Sequence, residues 1–187
     1  NDTTLERVSS FKLLGLWIDD NLKWQTNTDY IIRKASKRLF LLKVLKKYGA
    51  SVNDMRRFYI SAIRPILEYG AQVWHGGLTN AQSECIEKVQ KRALRIIYSE
   101  KDYEKILSQA GIQSLKSRRI DMCIDLIHKM SHPQHKLHYL LPNRLSEMRD
   151  RVTRQNKNLF YNFQCRTERF RNSPVFSSIE LFNNSIL

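Results

Sequence analysis

Two adjacent carboxylates near the start of the chain could take part in metal chemistry. Asp19 and Asp20 directly follow a short apolar run at residues 11–18, and polymerases present metal-binding acids at hairpin tips of this kind. Two-metal phosphoryl transfer needs carboxylates that hold ions about 3.5–4 Å apart, normally with a further acid from a distant strand. Because Asp-Asp-Asn is also ordinary turn chemistry, we favour a solvated turn.

Four histidines form the second candidate cluster. His128, His132, His135 and His138 are spaced by four and three residues, as metal ligands on one helical face would be. However, Pro133 interrupts the helix, and no cysteine or acid completes a tetrahedral zinc set. We therefore interpret the cluster as a surface loop and predict no metal ligand here. A zinc enzyme built on these histidines is the weaker alternative.

The cysteines and the remaining motifs give no catalytic site. Cys85, Cys123 and Cys165 stand far apart without a CxxC pair, which is neither a zinc framework nor a disulfide scaffold. We expect a reducing, intracellular compartment, nuclear or cytoplasmic. No phosphate-binding glycine loop and no nucleophile elbow is present. The sequence therefore predicts no catalytic residue and no cofactor in this chain.

The excess of positive charge is the main functional signal. The 187 residues hold 32 Lys and Arg against 18 Asp and Glu, a net charge of +14. Such an excess repels itself, and a nucleic acid relieves that repulsion because neutralised phosphates release condensed counterions. A solvated basic surface and an acidic membrane are the alternatives. No apolar run approaches the ~20 residues that span a bilayer, so we expect no membrane partner.

The basic residues are concentrated on two predicted helices. A helical surface exposed only to water usually alternates its charges to gain i,i+4 pairs, whereas residues 27–48 carry seven cations against Asp29 alone. A single-sign stripe fits a phosphate backbone, which it would contact without reading bases. The predicted nucleic-acid-binding residues are Arg33, Lys34, Lys37, Arg38, Lys46 and Lys47 on the first helix and Lys88, Lys91, Arg92 and Arg95 on the second.

The periodicity of the chain predicts the elements that position these residues. Two short strands at 11–18 and 22–24 would form a β-hairpin with its turn at 19–21. Apolar stripes, with capping-box pairs at Ser51/Asp54 and Thr79/Gln82, then predict a helical region. Trp74 would be an anchor in a glycine-rich bend. The predicted helices cover 27–48, which ends at Gly49; 51–68, with Pro65 near its end; 79–98; 101–110, which ends at Gly111; and 115–130.

Beyond Pro142 the helical periodicity weakens. The segment is polar and basic with scattered aromatics, and we expect an irregular, partly disordered extension. The sequence thus predicts a mainly α fold with an N-terminal β-hairpin, a multi-helix bundle and a basic C-terminal extension. The predicted limits are 1–26, 27–142 and 143–187. The chain opens at Asn1 without a signal peptide, so we expect a fragment of a longer protein.

With these elements in place, the chain resembles the C-terminal third of reverse transcriptases from jockey-like non-LTR (LINE-type) retrotransposons. Several stretches carry the resemblance in the right order along almost the whole chain. They are FKLLGLWIDDNLKW (11–24), IIRKASKRLFLLKVLKKYG (31–49), FYISAIRPILEYGAQVWHGG (58–77), IEKVQKRALRII (86–97), LKSRRIDMCIDLIHKM (115–130) and the closing RFRNSPVFSSIELFNNSIL. Phe182 departs from the family's frequent Trp, and the cysteine–histidine knuckle of some relatives is absent.

The resemblance implies a role in holding nucleic acid. The hairpin would be a primer-grip-like element at the end of the palm, with Leu14, Gly15, Leu16 and Trp24 as its characteristic residues. The helices up to about Tyr98 would be the thumb, and the partners would be RNA and an RNA–DNA hybrid duplex. The fingers and palm, with the catalytic aspartates and magnesium of the RNA-directed DNA polymerase, would lie elsewhere in the parent protein. This chain alone would then be inactive.

A second hypothesis stays open. The chain could be a non-enzymatic helical module that binds RNA or protein and derives from a decayed element. In that case apolar surfaces should matter more for binding than charge does.

Overall fold

The computed structural model describes residues 6–148 and 158–186. It confirms a mainly helical fold that begins with a two-stranded antiparallel hairpin. The strands are β1 (Ser10–Leu13) and β2 (Leu16–Asp19). The helices are α1 (Gln25–Lys47), α2 (Val52–Phe58), α3 (Arg64–Glu68), α4 (Ala71–Trp74), α5 (Asn80–Tyr98), α6 (Tyr103–Ala110), α7 (Leu115–Met130), α8 (Leu145–Met148), α9 (Glu168–Arg171) and α10 (Pro174–Ile186).

The hairpin turn lies about five residues earlier than the sequence predicted. Ser10 pairs with Asp19 and Leu13 with Leu16, so the two-residue loop is Leu14–Gly15. Their φ angles of 47° and 89° match a turn with both central residues in the left-handed region, which fits the twist of paired strands. The prediction of the hairpin turn at 19–21 and of a strand at 22–24 was therefore wrong, because Leu14 is not a residue type that signals such a turn. Residues 19–22 instead form a turn after β2, in which the Leu22 N–H donates to the Asp19 carbonyl at 2.9 Å.

The chain divides into two compact units. Unit 1 comprises Asn1–Tyr69 and Leu78–Leu115, and unit 2 comprises Gly70–Gly77 and Lys116–Leu187. The predicted boundaries at 26/27 and 142/143 stay predictions. The contacts of each unit are described separately below.

In unit 1 the longest helices, α1 and α5, run side by side in the same direction. At their starts, the Gln82 side-chain amide donates hydrogen bonds to the Lys23 carbonyl at 2.9 Å and to Gln25 Oε1 at 3.1 Å. At their ends, Lys46 contacts the last turn of α5. The buried stripe of α1 comprises Ile31, Ala35, Leu39 and Leu42, and that of α5 includes Ile86, Val89, Ala93 and Ile97. Both stripes confirm the predicted periodicity.

The predicted helix at 51–68 is interrupted shortly before Pro65. Ser51 caps α2 as predicted, and its hydroxyl accepts a hydrogen bond from the Asp54 backbone N–H. Residues Tyr59–Ile63 form a π-helical turn, and Pro65 lies in the first turn of α3. Proline is tolerated there because the first N–H groups of a helix lack partners within it. The wide turn thus lets the chain continue past Pro65.

Unit 2 is built around α7 and α10. Ile127, Met130, Phe160, Ile179 and Phe182 form its buried apolar cluster. Trp74 is fully buried, as the prediction of an anchor required. Helix α10 was not predicted, because its stripe is short and starts at a proline. The expectation of disorder also covers residues 149–157, which lie outside the described residues.

Within 6–148 and 158–186, every helix is either too short or too polar to cross a bilayer.

Candidate nucleic-acid interface

Six of the ten predicted binding residues lie on the outer faces of α1 and α5. At 100° per residue, Arg33 and Lys37 lie more than ~150° around α1 from the centre of its buried stripe. Arg95, Lys88 and Arg92 lie more than ~100° from the centre of the buried stripe of α5. These five side chains and that of Lys47 are exposed. We call this set the cationic surface: Arg33, Lys37, Lys47, Lys88, Arg92 and Arg95.

The two helices bring the predicted clusters to the same level. Gln25 and Gln82 are hydrogen-bonded, so they mark a common height at the starts of α1 and α5. With a rise of 1.5 Å per residue, Arg33 and Lys37 lie ~12 and ~18 Å above Gln25. Lys88 and Arg92 lie ~9 and ~15 Å above Gln82 by the same rule. Since packed helices are about 8–10 Å apart, the two clusters lie at similar heights on adjacent helices.

The positive charge of the cationic surface is not neutralised by ion pairs with the carboxylates of the described residues. The ion pairs of unit 1 include Arg57–Asp54 at 4.0 Å and Lys105–Asp102 at 4.0 Å, both at other positions. Within the described residues, none of the six members forms an ion pair with an acid. The surface therefore offers six positive charges to a polyanion.

The other four predicted residues have local partners inside unit 1. Arg38 donates a hydrogen bond to the Ala62 carbonyl at 2.9 Å, within the π-helical turn. Lys46 donates to the Ile96 carbonyl at 2.5 Å and to the Ser99 hydroxyl at 2.6 Å. The Lys91 ammonium lies 4.9 Å from the Tyr103 ring centroid, and that of Lys34 lies 5.8 Å from the Tyr30 ring. The contacts of Arg38, Lys46 and Lys91 join different elements, whereas that of Lys34 lies within α1. Because each of the four already has a local partner, they are weaker candidates for binding phosphate.

The primer-grip-like residues have different environments. Leu14 is 85% exposed at the hairpin tip, and Leu16 is half-buried. A Cβ at Gly15 would lie 3.2 Å from Tyr69 Cε1, and the φ of +89° also favours glycine. The Tyr69 hydroxyl donates to the Leu14 carbonyl at 2.9 Å. Trp24, the residue directly before α1, is buried.

The two adjacent aspartates have separate roles. Asp19 is only 7% exposed, and its Oδ2 accepts a hydrogen bond from the Thr26 backbone N–H at 3.2 Å. It thereby satisfies a free N–H at the start of α1, where Trp24 provides no side-chain cap. Asp20 is exposed in the turn. The interpretation of a solvated turn was right for Asp20 and wrong for Asp19.

A cationic pocket beside the hairpin was missed by the sequence analysis. It has a volume of about 290 Å³ and is lined by Lys12, Gly15, Tyr30, Ile31, Lys34, Ile66 and Tyr69. The Lys12 ammonium donates to the Tyr30 hydroxyl at 3.2 Å and lies 4.5 Å from its ring centroid. This bond, with the charge of Lys34, lowers the pKa of Tyr30. The signal that could have revealed the pocket was the i,i+4 spacing of Tyr30 and Lys34 on α1, opposite a lysine on β1.

A buried polar network joins α5 to its neighbours in unit 1. The Tyr59 hydroxyl donates to Gln90 Oε1, and Gln90 Nε2 donates to the Tyr103 hydroxyl at 2.7 Å and to the Gln113 carbonyl at 3.0 Å. Tyr103 in turn donates to Glu87. Burial raises the pKa of both tyrosines above the ordinary range. The network fixes the rotation of α5 and hence the direction of its basic residues.

The histidine and cysteine candidates are not brought together. The His128 ring packs edge-on against Phe182, with centroids 4.8 Å apart, and His138 Nδ1 lies 2.8 Å from the Met130 carbonyl oxygen. Cys85, Cys123 and Cys165 are free thiols. Burial raises the pKa of Cys123. Of the residues that the structure describes, no group of three or more His, Cys, Asp and Glu side chains could hold a metal ion.

Comparison with known proteins returned no relative: no family model, no curated protein and no solved structure matches this chain. Any functional assignment therefore depends on the chain's own residues and their geometry.

Proposed function

We propose that unit 1 holds a nucleic-acid duplex through its sugar–phosphate backbone. The observation that carries this proposal is the arrangement of Arg33, Lys37, Lys88 and Arg92 at one level on two parallel, neighbouring helices, where none of them is ion-paired with a described acid. A patch of cations repels itself in the free protein, and phosphates remove that cost by releasing counterions. The patch would position a duplex without reading its sequence.

The resemblance of the sequence to reverse transcriptases extends the proposal to the parent protein and to the kind of duplex. The chain would be the primer grip, thumb and following region of the reverse transcriptase of a jockey-like non-LTR retrotransposon, with an RNA–DNA hybrid as its duplex. The hairpin supports this setting because the exposed Leu14 tip and the cationic pocket with Lys12 lie on the same element. Catalysis would need the fingers and palm, so this chain binds and does not polymerise.

A salt titration with the full chain tests duplex binding. Fluorescence anisotropy would measure its affinity for an RNA–DNA hybrid of about two helical turns, in several unrelated sequences, between about 50 and 200 mM salt. If about six phosphates are neutralised, affinity falls by about 10³ over this range, equally for all sequences. The slope of log affinity against log salt becomes shallower by about 0.9 for each phosphate that is no longer neutralised.

Matched variants locate the binding surface. The test variant carries Arg33→Gln, Lys37→Gln and Arg92→Gln on the cationic surface. The control variant carries Arg57→Gln, Lys101→Gln and Lys105→Gln, which removes the same net charge from exposed positions elsewhere in unit 1. We expect the slope to become shallower by about two to three in the test variant and by less than about one in the control. Equal slopes for the two variants would contradict the proposal.

A protein-binding module is the second candidate. Phe40 on the outer side of α1 and Tyr48 directly after this helix are 67% and 81% exposed, and such large apolar side chains favour a protein partner. Replacing both by serine would then weaken association with that partner while the affinity for the RNA–DNA hybrid stays unchanged.

The coding sequence upstream of this chain distinguishes the two hypotheses. A Tyr-x-Asp-Asp type motif there supports the polymerase, and a start codon immediately before Asn1 supports the protein-binding module.

A further inference from the structure

Unit 2 contains an open aromatic pocket to which the duplex proposal gives no role. Its volume is about 450 Å³, and its lining consists of Phe163, Gln164, Arg166, Thr167, Phe170 and Phe176. The lining thus combines three phenylalanine rings with one cation and two neutral polar side chains. These lining residues include no carboxylate.

The rings are arranged around Phe176. Its centroid lies 4.5 Å from that of Phe170 and 5.8 Å from that of Phe163, with tilted planes in both pairs. Phe163 and Phe170 are nevertheless 49% and 50% exposed. Both residues are therefore half-exposed, although each ring packs against Phe176. A planar ligand that covers these ring surfaces would gain hydrophobic and stacking energy without reordering the rings.

The charges around the pocket restrict the chemistry of that ligand. Arg166 lines the pocket, and Arg169 and Arg171 follow on α9, against Glu168 alone. Within the described residues, none of the three arginines forms an ion pair. A cationic ligand, which aromatic cages otherwise bind, is disfavoured by Arg166. An anionic group beside the planar part is favoured.

We propose that this pocket binds one unpaired base of a single-stranded nucleic acid, stacked on Phe163 and Phe170. A nucleotide combines a planar ring, polar base edges and an anionic phosphate. The Gln164 amide offers two donors and an acceptor to a base edge, and Arg166 offers a cation to the adjacent phosphate. The Thr167 hydroxyl is already engaged, since it accepts a hydrogen bond from the Phe170 backbone N–H at 3.2 Å. The site belongs to unit 2 and shares no residue with the cationic surface of unit 1, so the proposal does not depend on duplex binding.

Short single strands test the proposal with the full chain. Fluorescence anisotropy would compare short RNA and DNA strands of uridine or thymidine with an abasic strand that has the same number of phosphates. The wild-type protein should bind the base-bearing strands at least about fivefold more tightly than the abasic strand, as expected for one stacked base. This comparison needs no substitution in the protein. Binding of RNA alone, of DNA alone or of both supports the pocket and identifies the source of the base.

Variants then locate the stacking surface. Phe163→Ala and Phe170→Ala, each at a half-exposed position, should abolish the difference between base-bearing and abasic strands. Tyr139→Ala, at an exposed aromatic residue outside the pocket lining, should retain it. Arg166→Gln should weaken the binding of all strands, and the slope of log affinity against log salt should become shallower by about 0.7 for the phosphate that this arginine neutralises.

Two results would overturn the proposal. One is equal affinity of the wild-type protein for base-bearing and abasic strands. The other is an unchanged preference in both phenylalanine variants. Because the hybrid duplex has no unpaired base, its affinity should not change in these variants, so failure of the pocket and failure of the duplex surface are distinguishable.

Discussion

The ammonium nitrogen of Lys46 lies 2.5 Å from the backbone carbonyl oxygen of Ile96, so the end of α1 is bonded to the end of α5. The same ammonium donates to the hydroxyl of Ser99, the C-cap of α5, at 2.6 Å. The last carbonyls of a helix lack intrahelical partners and carry partial negative charge, which a cation satisfies. Lys46 therefore stabilises the pairing of the two helices that carry the cationic surface.

Replacing Lys46 by methionine should destabilise unit 1 by about 1–2 kcal/mol. The substitution keeps the apolar stem and removes the charge-assisted hydrogen bonds, whose net contribution is typically ~1.5–3 kcal/mol and is smaller at an exposed position. Urea unfolding followed by circular dichroism measures the change. Lys47→Met, at the neighbouring exposed position, is the matched control and should change stability by less than ~0.5 kcal/mol. Equal destabilisation in both variants would argue against a specific role of Lys46.

Replacing Asp19 by alanine should cost about 1 kcal/mol. Its carboxylate accepts the hydrogen bond of the Thr26 N–H at the start of α1, and removing an N-terminal cap typically costs ~0.5–2 kcal/mol. Asp20→Ala removes the same charge from the exposed turn and should have little effect. Thermal unfolding with and without magnesium measures both variants. If magnesium stabilised the wild-type protein and neither variant, the two carboxylates would be a metal site instead.

The buried phenol of Tyr59 should make stability decline in alkaline solution. Burial, with the charge of Glu68, raises its pKa in the folded state above the ordinary value near 10. Above about pH 10 the unfolded chain releases the phenol proton while the folded chain retains it, so stability falls as pH rises, by about 1.4 kcal/mol per pH unit for this group. Below about pH 10 this contribution is fully present.

Tyr59→Phe tests this dependence. At about pH 8 the variant should be less stable by about 1 kcal/mol, because Gln90 no longer receives a hydrogen bond from the phenol. Between about pH 10 and 11 the difference should shrink, since phenylalanine has no proton to release. Urea unfolding at each pH measures the difference, with Tyr48→Phe at an exposed position as control. A difference that stays constant throughout this range would show that Tyr59 ionises normally.

His75 should remain neutral in mildly acidic solution. Burial, with the charges of Arg119 and Lys116, lowers its pKa to about 4. Between pH 6.5 and about 4 the unfolded chain takes up a proton that the folded chain does not, so stability falls as pH falls through this window. Imidazole resonances in NMR spectra should show one histidine with a titration midpoint below about pH 5, and His75→Gln should remove that resonance. An ordinary midpoint for every histidine would contradict the prediction.

The parts of the fold that could be predicted depend on short-range signals. The Thr79–Gln82 capping box, Gly49 after α1 and Gly111 after α6 act on backbone groups a few residues away, and the structure confirms all three. The buried stripes of α1 and α5 were predictable because they repeat every three or four residues.

The parts that could not be predicted depend on contacts distant in sequence. Leu14 adopts a left-handed conformation that leucine disfavours, and the Tyr69 ring against Gly15 with the bond to the Leu14 carbonyl supports that turn from 55 residues away. The π-helical turn likewise coincides with the bond from Tyr59 to Gln90. For the candidate interface, sequence identified the basic residues but could not reveal that Arg38 and Lys46 hold neighbouring elements together.

The shared direction of α1 and α5 has an electrostatic consequence along their length. Each helix carries about half a positive charge at its N-terminus and about half a negative charge at its C-terminus. Parallel packing places both positive ends beside the hairpin and both negative ends beside Lys46 and Ser99. The first turns of both helices therefore favour an anionic group, while Lys46 offsets the negative charge at their last turns.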